Sequence, residues 1–205
     1  MYANIFKKVI DFSFALLLTI IFLPLFIIIS ILIKLDSEGK VLFVQQRSGK
    51  DEKPFNMYKF RTMHRNNDVR DFKKENEVTK IGEFLRKTSL DELPQLINIL
   101  KGEMSFVGPR PWIEDYRMFF NKNQKRRLEV LPGLTGLAQV SGRNDISIKE
   151  KIDLDIYYVD NLSLFMDINI LFKTVLEVLK KSGSDQSKSA IKQELEELKN
   201  QYQTE

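Results

Sequence analysis

Two adjacent carboxylates and two nearby arginines are the residues of this chain best suited to chemistry. Asp91 and Glu92 lie within residues 88–95, Arg86 precedes them, and Arg110 follows between two prolines. The planar fork of an arginine matches the oxygens of a phosphate group. Adjacent helical residues do not face each other, so we expect one carboxylate to attack and the other to hold a metal ion. The cluster predicts an enzyme that acts on phosphate.

A purely structural interpretation of the same residues is also open. Ser89 and Glu92 have the spacing of a capping box, which would only close the start of a helix. Asp91 could equally be the N-cap, with Pro94 at the third helical position, where its missing donor costs nothing. Taken alone the pattern favours capping, and the arginines shift the balance towards catalysis. The helix N-terminus would also keep Asp91 ionised and attract a phosphate.

Other candidate anion ligands are less distinctive. Residues 131–144 carry glycines at 133, 136 and 142, and such loops let backbone N–H groups approach an anion closely. The segment matches neither a Walker A motif nor a dinucleotide fingerprint. Arg86, Arg110 and Arg143 could each form only a surface ion pair of small energetic value. Arg110 fits that interpretation least, because the flanking prolines fix its backbone.

Composition removes several function classes. The chain of 205 residues has no cysteine, which excludes disulfides, thiolate nucleophiles and cysteine-based metal sites. Its single histidine, His64, lies in a polar stretch, which argues against a histidine-based triad. The net charge of +4 suits lipid headgroups or nucleotide phosphates and is too small to indicate nucleic acid.

A long apolar segment precedes the carboxylates. Residues 12–33 carry no charge over 22 positions, enough for a helix to cross the hydrocarbon core of a bilayer. Pro24 in its middle predicts a bend, with Thr19 and Ser30 as neighbouring backbone partners. Lysines flank both ends, which conflicts with the positive-inside tendency for a spanning helix. A re-entrant hairpin removes that conflict, and both topologies stay open.

Hydrophobic patterning places the remaining elements. We predict a β-hairpin from residues 41–46 and 55–60, and a mobile polar loop over residues 64–80. A helix over residues 114–130 is predicted to dip Phe119 and Phe120 into lipid, with an ordinary surface helix as the alternative. Further helices are predicted at residues 81–86, 91–100, 148–161 and 165–179, with a loop at 104–111 and a polar tail at 184–205.

Spaced motifs over residues 1–183 resemble the small monotopic polyprenyl-phosphate phosphoglycosyl transferases, also called bacterial sugar transferases, and among them the PglC-like members. The motifs are KKVID at 7–11, YKFRTM at 58–63, Arg86 with SLDELPQ at 89–95, LKGEMS at 100–105, VGPRP at 107–111, PGLTG at 132–136, QV at 139–140, GRN at 142–144, and Asp155 with Tyr157 and Tyr158. Leu23 departs from the serine that many members have before the anchor proline.

The resemblance implies roles for the site residues. Asp91 would attack the sugar-bearing phosphate of a UDP-sugar, release UMP and pass the sugar-phosphate to undecaprenyl phosphate. Glu92, with Asp91, would hold Mg²⁺. Arg86 and Arg110 would grip phosphate oxygens, and Arg143 and Lys59 could do so too. The sugar is not legible, although diacetylbacillosamine is favoured by the length of the chain.

The resemblance also implies an architecture. We expect a mostly helical α+β protein with a re-entrant membrane helix bent at Pro24, a β-hairpin and amphipathic interfacial helices. Residues 1–35 would form the anchor, 36–183 a cytosolic catalytic domain and 184–205 a tail. The protein would sit on the cytosolic face of a bacterial inner membrane, in contact with membrane lipid. A non-enzymatic scaffold that binds anionic lipid is the alternative function.

Overall fold

The fold is α+β and mostly helical, as predicted. A computed structural model describes residues 2–64, 78–142 and 146–179. Its helices are α1 (Lys7–Asp36), α2 (Lys80–Thr88), α3 (Gln95–Leu100), α4 (Leu137–Ser141), α5 (Ile148–Asp160) and α6 (Leu164–Leu179), and its strands are β1 (Leu42–Ser48), β2 (Pro54–Phe60), β3 (Ser105–Val107) and β4 (Gly133–Thr135). The predicted loop at 64–80 falls largely outside the described residues, and the tail at 184–205 falls wholly outside them.

Helix α1 continues through Pro24 as one element. Proline lacks the N–H that would bond the carbonyl of Ile20. Thr19 and Ser30 do bond the backbone, as predicted, each donating to the carbonyl four residues before it over 2.7 and 2.6 Å. Neither bond reaches the carbonyl of Ile20. Hydroxyl bonds of this kind tend to bend a helix, so the residues around Pro24 suit a curved α1.

The rest of the chain packs against α1 near both of its ends. Ala15 is buried against the cluster of β2 and α3 residues that includes Phe55 and Leu96. Ile29 and Ile33, near the other end of the helix, are buried in a second cluster. The opposite face of α1 is apolar and exposed. Within the described part of the chain, α1 is the one helix long and apolar enough to cross a membrane.

The predicted β-hairpin is confirmed. Strands β1 and β2 pair antiparallel from Leu42↔Phe60 to Ser48↔Pro54. The connection contains a short 3₁₀ turn, with Asp51 at a φ of 55°. Phe55 and Met57 of β2 turn inward, so the hairpin covers α3 and part of α1.

A second, parallel pair of strands lies where a loop was predicted. Ser105 and Val107 of β3 pair with Gly133 and Thr135 of β4. The backbones cross so closely that a Cβ on Gly133 would lie 2.1 Å from the backbone nitrogen of Gly108. Three-residue strands are too short to produce an alternating pattern, which is why the sequence did not reveal them. They fix the segment that carries Arg110.

The interfacial helix predicted over residues 114–130 is wrong. Two short 3₁₀ segments, Glu114–Phe119 and Gln124–Leu128, take its place. Phe120 is buried against Ile148 and Ile152 of α5, so it cannot reach lipid. Basic side chains of the segment pair with carboxylates of the same protein.

A second exposed apolar surface, besides that of α1, lies on α6. Phe165 is 80% exposed and Phe172 is 65% exposed. An exposed apolar helix face of this size marks a surface that meets lipid or a partner.

Candidate active site

A break in the helical path brings Asp91 and Glu92 to the site. Helix α2 ends at Thr88, and Ser89 follows in the left-handed conformation with a φ of 56°. Residues Leu90–Glu92 then form one 3₁₀ turn, and α3 begins only at Gln95. The predicted helix over 91–100 is therefore too long at its start. Ser89 makes no capping bond at this turn, so the capping interpretation is wrong.

Glu92 sits between two cations. Its Oε1 atom accepts a hydrogen bond from the Lys59 ammonium at 2.6 Å and another from the Arg110 guanidinium at 3.2 Å. Burial raises the pKa of Glu92, but Lys59 and Arg110 outweigh it and lower that pKa to about 2. The carboxylate is therefore an anion at every physiological pH. Both bonds use the same carboxylate oxygen.

Asp91 has the opposite balance. Burial raises its pKa, Lys59 lowers it and the neighbouring charge of Glu92 raises it again, so the net direction is upward. The prediction that Asp91 lies at a helix N-terminus is wrong, because Pro94 occupies the N-cap of α3 and Asp91 precedes it. A carboxylate with a raised pKa is a stronger nucleophile once it is ionised. Asp91 and Glu92 therefore differ chemically, as predicted from their adjacency.

Arg86 and Arg47 complete the positive surroundings. The Nε atom of Arg86 donates to the Thr62 hydroxyl at 3.0 Å, and its charge acts on Asp91. Arg47, at the end of β1, was not predicted, because nothing in its sequence context distinguishes it from a surface arginine. Burial lowers the pKa of Arg47 to about 10, with Arg110 as the next contributor. Arg47 donates to the carbonyl of Pro111 at 3.2 Å, beside Arg110.

A buried ion pair supports Arg110 from below. Arg127 donates from Nε to the Asp155 carboxylate at 3.0 Å and from Nη2 to the carbonyl of Arg110 at 2.9 Å. Its guanidinium lies 5.0 Å from the ring centroid of Trp112. The sequence placed Arg127 only within the predicted helix over residues 114–130, although Asp155 belonged to a recognised motif. The pair fixes the backbone that presents Arg110 to Glu92.

One cavity of about 1190 Å³ joins these groups to an apolar wall. Its polar lining includes Asp91, Glu92, Lys59, Arg86, Arg110 and Arg47. Its apolar lining includes Leu18 and Phe22 of α1 and Leu171 and Val178 of α6. The cavity exceeds the usual size of a site for one small ligand. Five of the predicted site residues therefore share one cavity, and Arg143 lies outside the described residues.

Comparison with known proteins gives the family. The family model described as bacterial sugar transferase matches residues 2–181. The chain belongs to the bacterial sugar transferase family. This confirms the prediction of a sugar-transferring enzyme made from the motifs.

Curated relatives extend the comparison. An uncharacterized sugar transferase, EpsL, of Bacillus subtilis is 44% identical over 89% of this chain and 92% of its own length. The UDP-glucose:undecaprenyl-phosphate glucose-1-phosphate transferase of Caulobacter vibrioides is 40% identical over 84% of this chain and 69% of its own. The undecaprenyl-phosphate galactose phosphotransferase of Salmonella typhimurium is 41% identical over 87% of this chain and 41% of its own.

The carboxylates of this sugar transferase suit a hard divalent cation. Mg²⁺ in phosphoryl-transfer sites usually takes one or two carboxylates plus substrate phosphates and water. The carboxylates of Asp91 and Glu92 match that donor set. The described residues contain no cluster of three acidic, histidine or cysteine ligands. The site therefore fits an ion that arrives with, or is completed by, a phosphate ligand.

Proposed function

We propose that this sugar transferase moves a sugar-1-phosphate from a UDP-sugar to undecaprenyl phosphate. The observation that carries the proposal is the cavity itself, in which Asp91 and Glu92 share the lining with cationic side chains, among them Lys59, Arg86 and Arg110, and with an apolar wall. The cations suit the phosphates of both substrates, and the wall suits a lipid. The printed names of the Caulobacter and Salmonella relatives describe this class of reaction.

The first step is a displacement at phosphorus. An oxygen of ionised Asp91 attacks the phosphorus that bears the sugar, and the bond from that phosphorus to the bridging oxygen breaks. UMP leaves with the bridging oxygen, and the sugar-phosphate stays on Asp91 as an acyl phosphate. Arg110 and Arg86 bind the phosphate oxygens as charge shifts towards the leaving group.

The second step restores the enzyme. A phosphate oxygen of the lipid acceptor attacks the same phosphorus, and its bond to Asp91 breaks. The product is a lipid diphosphate sugar, and Asp91 returns as a carboxylate. Two displacements at one phosphorus divide a difficult transfer into two easier ones.

Asp91 and Glu92 would hold Mg²⁺, which supplies neutralisation of diphosphate charge when bound. The low pKa of Glu92 keeps that ligand ionised across the working pH range. Lys59 bonds Glu92 and holds its carboxylate beside Asp91. Lys59 would therefore position Glu92 in addition to contacting a substrate phosphate.

We place the enzyme on the cytosolic face of the bacterial inner membrane, with α1 re-entrant. A helix that spans a bilayer has a core of about 20 residues away from any aqueous domain. In α1, however, contacts with the catalytic part run from Lys7 to Ile33. The exposed apolar faces of α1 and α6 would together contact the lipid, which keeps the cavity at the height of the headgroups.

The test is UMP release from a panel of UDP-sugars with Mg²⁺ and undecaprenyl phosphate. UDP-glucose and UDP-galactose come first, because relatives are named for these sugars, and UDP-diacetylbacillosamine follows. We expect one donor to give acceptor-dependent turnover that falls at least about 10³-fold in Asp91→Asn. Asp153→Asn, a change at an exposed aspartate of α5, is the matched control and should stay active.

Two rivals make different predictions in the same assay. A lipid-binding scaffold releases no UMP from any donor, and Asp91→Asn changes nothing. Direct one-step transfer gives turnover but no UMP without acceptor, and intact-protein mass spectrometry then finds no sugar-phosphate adduct. The two-step mechanism predicts about one UMP per enzyme before acceptor is added.

A further inference from the structure

The apolar wall of the cavity comes from two helices that are distant in sequence. Leu18 and Phe22 of α1 and Leu171 and Val178 of α6 all line it. Thr174 lies in the same wall, but its hydroxyl already donates to the carbonyl of Ile170 at 2.8 Å. The wall therefore favours a hydrocarbon over a hydroxylated ligand.

The wall and the charged centre belong to one continuous space. At the charged end, Lys59, Arg86 and Arg110 surround the reactive carboxylates. An anionic head and an apolar tail would be satisfied together only by an amphiphile lying along this space. The nucleotide and the sugar of the donor are both polar, so neither matches the wall.

The same two helices carry the exposed apolar faces of the protein. Their N-terminal ends are joined by Lys7 of α1, whose ammonium donates to Asp167 of α6 at 2.6 Å. Leu171 and Val178 line the cavity while remaining 40% and 42% exposed. A chain leaving the cavity between α1 and α6 therefore passes directly to the apolar surface.

We propose that this wall, formed by Leu18, Phe22, Leu171 and Val178, binds the first isoprenoid units of the lipid acceptor, with the acceptor phosphate at the charged end. The inference rests on the proposed function and adds a subsite to it. The α1–α6 wall then selects the acceptor by its tail, while the donor is bound by the polar residues alone. The acceptor KM should depend on the wall, and the donor KM should not.

The chain offers a closely matched pair of positions for the test. Leu171 and Leu176 are the same residue type on α6, and they are 40% and 42% exposed. Only Leu171 lines the cavity. Leu171→Asn and Leu176→Asn therefore remove equal hydrophobicity from the outer surface and differ only at the wall.

Steady-state kinetics are measured with undecaprenyl phosphate in vesicles and with geranyl phosphate in detergent. We expect Leu171→Asn to raise the KM of both acceptors about fivefold or more, with the donor KM unchanged. Leu176→Asn should leave both acceptor KM values unchanged. Geranyl phosphate has two isoprenoid units and needs no vesicle, so its response isolates the subsite from membrane attachment.

Three results would overturn the inference. Equal acceptor KM values in the two variants would remove the wall from acceptor binding. A Leu171→Asn defect confined to vesicles would assign the residue to membrane attachment. A donor KM that rises with the acceptor KM would indicate general damage to the site. Failure of the proposed function is distinct from all three, because the wild type would then release no UMP from any donor.

Discussion

Two clusters of ion pairs, linked through the backbone of Arg110, differ in their access to water. In the cavity, Lys59 and Glu92 are 17% and 21% exposed, and Arg110 is 50% exposed. Beneath it, Arg127 and Asp155 are 1% and 3% exposed. Both clusters combine arginine or lysine with one carboxylate. The difference in exposure, more than residue type, separates groups that can exchange partners from groups that cannot.

The physical basis is the cost of an unpaired charge. A charge in the cavity can turn to water or to a phosphate when its partner changes. A buried charge has no such alternative, so removal of its partner leaves it uncompensated. The cavity cluster is therefore suited to binding, and the Arg127–Asp155 pair is suited to holding the backbone of Arg110.

The largest expected difference between the two clusters is the loss of stability in Arg127→Met. The change leaves Asp155 buried without its partner, so we expect the free energy of unfolding to fall by about 3–5 kcal/mol. The melting temperature should then fall by roughly 6–20 °C. Lys59→Met, at the partly exposed pair, is the control and should lower it by only a few degrees. Equal losses in the two variants would mean that exposure does not distinguish the clusters.

Glu92→Gln tests whether the cavity cluster serves activity more than stability. The amide keeps the shape of the side chain but removes the charge that pairs with Lys59 and that we propose holds Mg²⁺. We expect kcat to fall by about 10²–10³-fold while the melting temperature falls by only a few degrees. Glu83→Gln, which removes an exposed ion pair with Lys87, should retain full activity. A Glu92→Gln enzyme with normal activity would remove this residue from the reaction.

The smallest expected effect is a shift in the pH dependence. Asp91 must be ionised to attack, so activity is lost as pH falls through its pKa. Burial raises that pKa, which places the acid limb above the ordinary aspartate value of about 3.9. Lys59 lowers the pKa of Asp91, so Lys59→Met should move the limb of the kcat profile to still higher pH. Lys87→Met, at an exposed ion pair, is the control and should leave the acid limb unchanged. An acid limb that moves to lower pH in Lys59→Met would contradict the assignment of that limb to Asp91.

Much of the fold could be predicted where the sequence repeats a pattern over many residues. The β-hairpin, α5, α6 and the long apolar α1 each show such a pattern, and all were predicted within a few residues. At the site, the types and spacing of Asp91, Glu92, Arg86 and Arg110 were sufficient, and the structure brings them into one cavity.

The remaining features depend on contacts that have no local signature. The parallel pairing of β3 with β4 rests on a close backbone crossing at Gly108 and Gly133. Residues 114–130 were predicted to be helical because their composition is amphipathic, but burial of Phe120 and Arg127 draws them into short turns. Arg47 likewise reaches the site only through the hairpin register.

The ion pair between Lys7 and Asp167 has a consequence for synthesis of the protein. Its partners are separated by 160 positions along the chain. At about 5–20 residues per second, Lys7 is synthesised roughly 8–32 s before Asp167. During that interval α1 is already able to enter the bilayer, while the carboxylate that will fix its first turn has not been made. Helix α6, made long after α1, therefore fixes the first turn of α1 in place.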